Sequence, residues 1–127
     1  MEKRAINAPD APKPIGSYAQ AVELSGGRRT LYISGQIPQT ADGKVPEGFP
    51  DQCRLAWANL AAQLRAADMS LDNLVKVTTF LSDRRFGLEN RAIRQEVLGD
   101  RRPALTVVIT GIFDAAWLVE IEAVAVA

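Results

Sequence analysis

The last quarter of the chain, Arg102 to Ala127, reads RPALTVVITGIFDAAWLVEIEAVAVA and leaves the fold few choices. Its two runs, Ala104 to Ile109 and Trp117 to Ala127, are rich in the Val, Ile and aromatic residues that suit a pleated sheet. They read as two strands joined by a short turn. Alternation places Glu120 and Glu122 on one face with Leu118, Val124 and Val126, while Val119, Ile121 and Ala123 point the other way. A carboxylate among apolar neighbours is costly unless it has partners. The acid pair therefore either guards an exposed sheet edge or belongs to a site.

Upstream, Lys3 to Asn7 reads as a short first strand. Pro9, Pro12 and Pro14 then force an extended passage that ends at Ile15-Gly16-Ser17-Tyr18. From Tyr18 to Leu24 polar and apolar residues alternate, the SGGRR segment reads as a hairpin turn, and Thr30 to Ser34 forms the returning strand of an antiparallel pair. Residues 39–50, with Asp-Gly and two prolines, form a surface excursion. A helix begins near Asp51, with Cys53, Ala56, Trp57, Leu60, Leu64 and Ala67 on one stripe, which makes Cys53 and Trp57 core residues. Leu74 to Leu81 is a strand. A second helix runs from about Arg85 to Leu98, with Asn90 in the same stripe as Phe86, Ile93 and Val97. An amide in that position needs partners, from a loop or from a ligand. Gly99 ends this helix and Arg101-Arg102-Pro103 links it to the closing strands.

The order β-β-β-α-β-α-β-β predicts an α+β sandwich in which two helices pack on one face of a mixed sheet. Two helices cover only that face. Val75, Val77 and Leu81 oppose Leu74 and Phe80, and Val107 and Ile109 oppose Val108, so both faces carry apolar residues. An open apolar sheet face is an association surface, and the expectation is a homo-oligomer with closed symmetry.

A chain of 127 residues with 47% hydrophobic composition suits a single domain over 1–127. Fifteen basic residues balance fifteen acidic ones, so no net field favours nucleic acid or an anionic membrane, and a small-molecule or protein partner is expected. Histidine is absent and cysteine occurs once, which removes Ser-His and Cys-His catalysis and ordinary zinc or haem sites. Any general base is a Glu, Asp, Lys or Tyr. No secretory leader or membrane span is read, and a lone cysteine fits a reducing, cytoplasmic setting.

Several ordered motifs resemble one known family. They are Ile15-Gly16-Ser17-Tyr18-Ala19-Gln20-Ala21, Ser34-Gly35-Gln36-Ile37-Pro38, the segment LDNLVKVTTFLSD, Asn90, Arg102-Pro103-Ala104, and Val119-Glu120-Ile121-Glu122-Ala123-Val124-Ala125-Val126. Together they cover nearly the whole chain and are similar to the Rid family of RidA/YjgF-type proteins, named for reactive intermediate deamination. The resemblance implies a chorismate-mutase-like fold assembled as a homotrimer, with a ligand cleft between each pair of subunits. RidA-type members hydrolyse 2-imino or 2-enamino acids to 2-oxo acids and ammonia without metal or cofactor. By resemblance Glu122 falls on the glutamate that activates water and Tyr18 on the site tyrosine. Ser34 and Gly35 lie at the strand end that offers backbone hydrogen bonds, and Asn90, Leu105, Thr106 and Val107 line the substrate.

One residue departs from the pattern decisively. The family motif runs Arg-Pro-Ala-Arg-Ser, and this chain has Arg102-Pro103-Ala104-Leu105-Thr106, so the arginine that grips the substrate carboxylate bidentately is a leucine. Val107 stands where many members have cysteine, and Asp68 where a helix-ending glycine is usual. Arg102 is the nearest substitute anchor. Ordinary 2-imino acids are expected to be poor substrates. The readings to be weighed are deamination of an imine, enamine or related metabolite with Glu122 as base, and a non-catalytic member that binds a metabolite or protein in the same cleft. RNA binding or cleavage, suggested by older family labels and by Arg28-Arg29, Arg84-Arg85 and Arg101-Arg102, is disfavoured by zero net charge and the lack of aromatics along a basic stripe.

Overall fold

The computed structural model describes residues 1–127, in which the expected order of elements is found. The strands are β1 (Glu2–Ile6), β2 (Ala21–Ser25), β3 (Thr30–Gln36), β4 (Leu74–Leu81), β5 (Ala104–Ile109) and β6 (Val119–Val126). The helices are α1 (Phe49–Ala66) and α2 (Gly87–Leu98). β3, β6, β4 and β5 form a mixed sheet in that spatial order, antiparallel except for the parallel β4–β5 pair, and β1 and β2 form a separate antiparallel ribbon.

The helical stripe behaves as its spacing requires. Phe49, Cys53, Ala56, Trp57, Leu60 and Leu64 are buried along α1, over a sheet face made by Ile33, Val77, Leu81, Val119, Ile121, Ala123 and Ala125. Each fully buried leucine contributes about 1.5–3 kcal/mol through apolar area removed from water. Pro50 lies in the first turn of α1, where its missing N–H is not needed. Gln52, buried at the same layer, donates to the carbonyls of Pro46 and Ala116 and accepts from the Leu118 amide. It thereby ties the 39–48 excursion and the approach to β6 onto the helix.

Four expectations change. β2 and β3 do not form a hairpin; β2 takes β1 as its partner over a continuous five-residue register. The SGGRR segment instead packs on the end of β6, where the amides of Arg28 and Arg29 donate to the Ala127 carbonyl. A Cβ on Gly27 would lie 2.6 Å from Val126, so only glycine permits that approach. β5 and β6 are not neighbours joined by a short turn, since β4 lies between them and residues 110–118 make the crossing. The second helix starts at Gly87, after a 3-10 turn at Arg84–Phe86 capped by the Asp83 carboxylate. That turn stacks Phe86 on Phe49 at 4.7 Å and couples α2 to α1. Leu74 belongs to the helix-covered core, because a register shift between Leu74 and Lys76 turns it inward.

Glu120, Glu122 and Val124 lie on the sheet face that the helices leave open, as alternation requires, while Val119, Ile121 and Ala123 enter the core. Lys76, Thr78 and Phe80 from β4 and Thr106 and Val108 from β5 share the open face by register. It is therefore a mixed polar and apolar surface. Tyr32 stands on it 80% exposed. No helix is long and apolar enough to cross a membrane.

Candidate functional site

Tyr18 owes its position to the motif before it. Gly16, at φ +100, approaches Gln95 of α2 so closely that a Cβ would sit 2.6 Å from Nε2. The Ser17 hydroxyl donates to the Gly99 carbonyl at the end of α2, and the Ala19 amide donates to the Pro103 carbonyl at 2.9 Å. The segment 15–20 is thus moored between the end of α2 and the start of β5, with Ala19 bridging Ala104 in parallel. The Tyr18 hydroxyl accepts from the Ile15 amide at 2.9 Å.

Beneath this segment α2 and the edge strand β5 leave a groove of about 580 Å³. Tyr18, Asn90, Leu105 and Val107 line it together, with Arg84, Arg91 and Arg94 among its remaining walls. Asn90 is 2% exposed and accepts a long contact from the Cys53 thiol at 3.8 Å. The thiol reaches only the Oδ1 of this amide; no loop group bonds it, and Asn90 still lines the groove. Burial pushes the Cys53 thiol up to about 12, so it stays protonated and is no nucleophile.

The other expected residues lie elsewhere. Leu105 pairs with Val77 on the helix-covered side of the sheet, whereas Thr78 pairs with both Thr106 and Glu122 on the open side. Thr106 accepts from the Lys76 ammonium at 2.6 Å. Glu122 and Ser34 line a separate hollow of about 260 Å³ with Tyr32, Lys76 and Thr78. Within one chain the sheet itself separates Glu122 from the groove.

Gly35 serves the neighbouring acid. A Cβ there would overlap the Glu120 carboxylate, so the side chain of Glu120 lies directly over Gly35 next to the irregular pairing of β3 with β6. Glu120, read from sequence as a surface or cross-strand charge, is half-buried and stands opposite Phe80. Arg102 does not line the groove; its guanidinium donates to the carbonyls of Gly99 and Arg101. Three other arginines do line it, Arg84, Arg91 and Arg94; the buried one is Arg94, four residues after Asn90 and hence on the same helical face, a spacing the sequence displays openly.

A mixed α+β sheet with helices on one side and a groove against its edge strand defines the class of this protein. Within that class the chain belongs to the family described as Endoribonuclease L-PSP, whose model matches residues 8–127, and which includes the Rid proteins. It is 36% identical to a RutC family protein of Pyrococcus horikoshii over 125 residues, 97% of each chain. It is 35% identical to the 2-iminobutanoate/2-iminopropanoate deaminase of Mus musculus, covering 98% of this chain and 91% of that one. The solved structure of the Rid-family protein YyfB from Yersinia pestis superimposes with a TM-score of 0.88 at 25% identity, over the whole of both chains.

Proposed function

We propose that this protein is a Rid-family deaminase that hydrolyses an imine, enamine or related metabolite without metal or cofactor, in clefts completed between copies of the chain. Tyr18, Asn90, Leu105 and Val107 form one wall of each cleft. Ser34, Gly35 and Glu122, with Thr106 at the sheet edge, belong to the open face that a second copy brings up to it. The observation that carries this reading is the division of these residues between the two faces of one sheet, which a single copy cannot reunite. The relationship to an imino-acid deaminase supports the chemistry, and a homotrimer is the assembly proposed.

In this mechanism Glu122 takes a proton from water as the water oxygen bonds to the imine carbon. Glu122 returns that proton to the nitrogen, then takes the carbinolamine hydroxyl proton and passes it to the departing nitrogen, so that ammonia leaves, a carbonyl remains and Glu122 is again a carboxylate. Because Leu105 offers no charge-assisted contact, ordinary 2-imino acids are not held as an arginine there would hold them.

Glu120 is a second candidate for the acid, favoured by its seat over Gly35. A non-catalytic metabolite- or protein-binding role in the same cleft is the alternative function. RNA cleavage, which the family description names, would have to proceed on a chain with no histidine and no net charge.

Imines generated by an amino-acid oxidase test the proposal with wild type, Leu105→Arg, Glu122→Ala and Glu120→Ala. Wild type should turn over small 2-imino acids slowly, Leu105→Arg should gain at least about tenfold, and Glu122→Ala in that background should abolish the gain. Loss with Glu120→Ala alone reassigns the acid. No turnover by any variant, on any imine tried, leaves the binding role.

A further inference from the structure

Arg94 is a buried cation that nothing in the chain answers. It is 4% exposed, yet its Nε is buried without a hydrogen-bond partner, and no carboxylate lies within ion-pairing distance of its guanidinium. Its one aromatic neighbour is the Tyr18 ring, 5.9 Å from Cζ, a distance at which the ring face attracts a cation weakly. Burial and the like charge of Arg91 both act against its protonated form. A buried charge without a counter-charge is among the costliest arrangements a fold can hold, and an anionic ligand beside it would supply the missing counter-charge.

The surroundings specify that ligand. Arg84 and Arg91 stand exposed at the rim of the groove, and none of its lining residues is acidic, so the field inside is positive. Leu105 and Val107 of β5 give the same groove a hydrocarbon wall. A guanidinium in one groove with an apolar wall fits an organic acid better than an inorganic anion, because the carbon skeleton needs the wall and the carboxylate needs the fork.

We propose that the groove binds a small organic carboxylate with Arg94 as its principal anchor, held from the helix side where other family members hold it from position 105. This rests on the groove being the substrate site proposed above, and it makes the substrate an acid despite Leu105. The leucine then does positive work, as the surface against which the substrate's carbon chain lies.

Calorimetric titration of the full chain with butanoate, and separately with inorganic phosphate, tests this without turnover. Wild type should bind butanoate at millimolar concentrations and more tightly than phosphate. Arg94→Gln should weaken butanoate at least about tenfold, Arg94→Lys less, and Arg102→Gln not at all. Because Arg94 is unpaired, Arg94→Gln should also melt at or above the wild-type temperature, so loss of binding is separable from loss of fold. Should Arg94→Gln fail to fold, the Arg94→Lys titration decides. Unchanged butanoate binding in the folded variant, no butanoate binding by wild type, or a preference for phosphate overturns the proposal. Imine hydrolysis in the same variants separates the two readings. Binding that depends on Arg94 without any hydrolysis keeps the anion site and removes the deaminase, whereas hydrolysis indifferent to Arg94 does the reverse.

Discussion

Cys53 shows how a residue is decided by where its element packs. Its place on the α1 stripe marked it as core, and the structure buries it fully beside Asn90. Burial holds the folded thiol protonated, with its pKa up to about 12. The same thiol in the unfolded chain ionises near about 8.5, so as pH rises the unfolded state loses its proton first. The stability this thiol preserves is whole below about pH 8.5 and falls by roughly 1.4 kcal/mol per pH unit above it, until the folded thiol titrates too. Urea midpoints measured from neutral pH upward should therefore decline more steeply for wild type than for Cys53→Ala, and parallel declines would contradict this assignment. Asp68 shows the converse. It replaces the usual helix-ending glycine and still adopts φ 55, so the left-handed turn is kept by a residue that tolerates it.

At the scale of elements, β4 was legible almost to the residue, because LVKVTTFL is too short for a helix and bounded by turn residues. The pairing of strands was not. The SGGRR segment carries the glycines of a hairpin, but hairpin signals describe a chain's ability to turn and say nothing about which edge is free to receive the strand. β1 claims β2, and β6 claims β3. Gln52 is the side chain on which two irregular connections converge, through bonds to Pro46, Ala116 and Leu118. Gln52→Ala leaves those three backbone groups unpaired next to the core and should cost about 2–4 kcal/mol in denaturant unfolding. A change under about 0.5 kcal/mol, the size of an ordinary surface substitution, would mean the connections hold without it.

For the whole molecule, the question is what covers the open sheet face. Tyr32 at 80% exposure and Phe80 and Val108 beside the acids form a surface that one copy leaves in water. If copies meet there, sedimentation equilibrium should return three times the 13.8 kDa chain mass, and Tyr32→Glu should shift the distribution toward monomer. A wild type that stays monomeric at micromolar concentration contradicts both the assembly and the composite cleft. The candidate site was legible in the sequence as a set of residues: Tyr18, Asn90, Leu105 and Val107 share one groove, and Ser34 and Glu122 share another. What stayed hidden was that the two sets occupy opposite faces, because β4 between β5 and β6 fixes which residues of each strand look the same way.

The sequence by itself determined the order of elements, the helical stripe of α1, the alternation that separates Glu120 and Glu122 from Val119 and Ile121, and the family. These depend on period and local chemistry, which every residue carries with it. Only the tertiary structure decided that Glu120 lies over Gly35, that Arg102 bonds backbone carbonyls, and that Arg94 stands unpaired in the groove that Leu105 also lines. Those facts depend on which strand lies beside which, and strand neighbourhood is set by competition among all the edges at once.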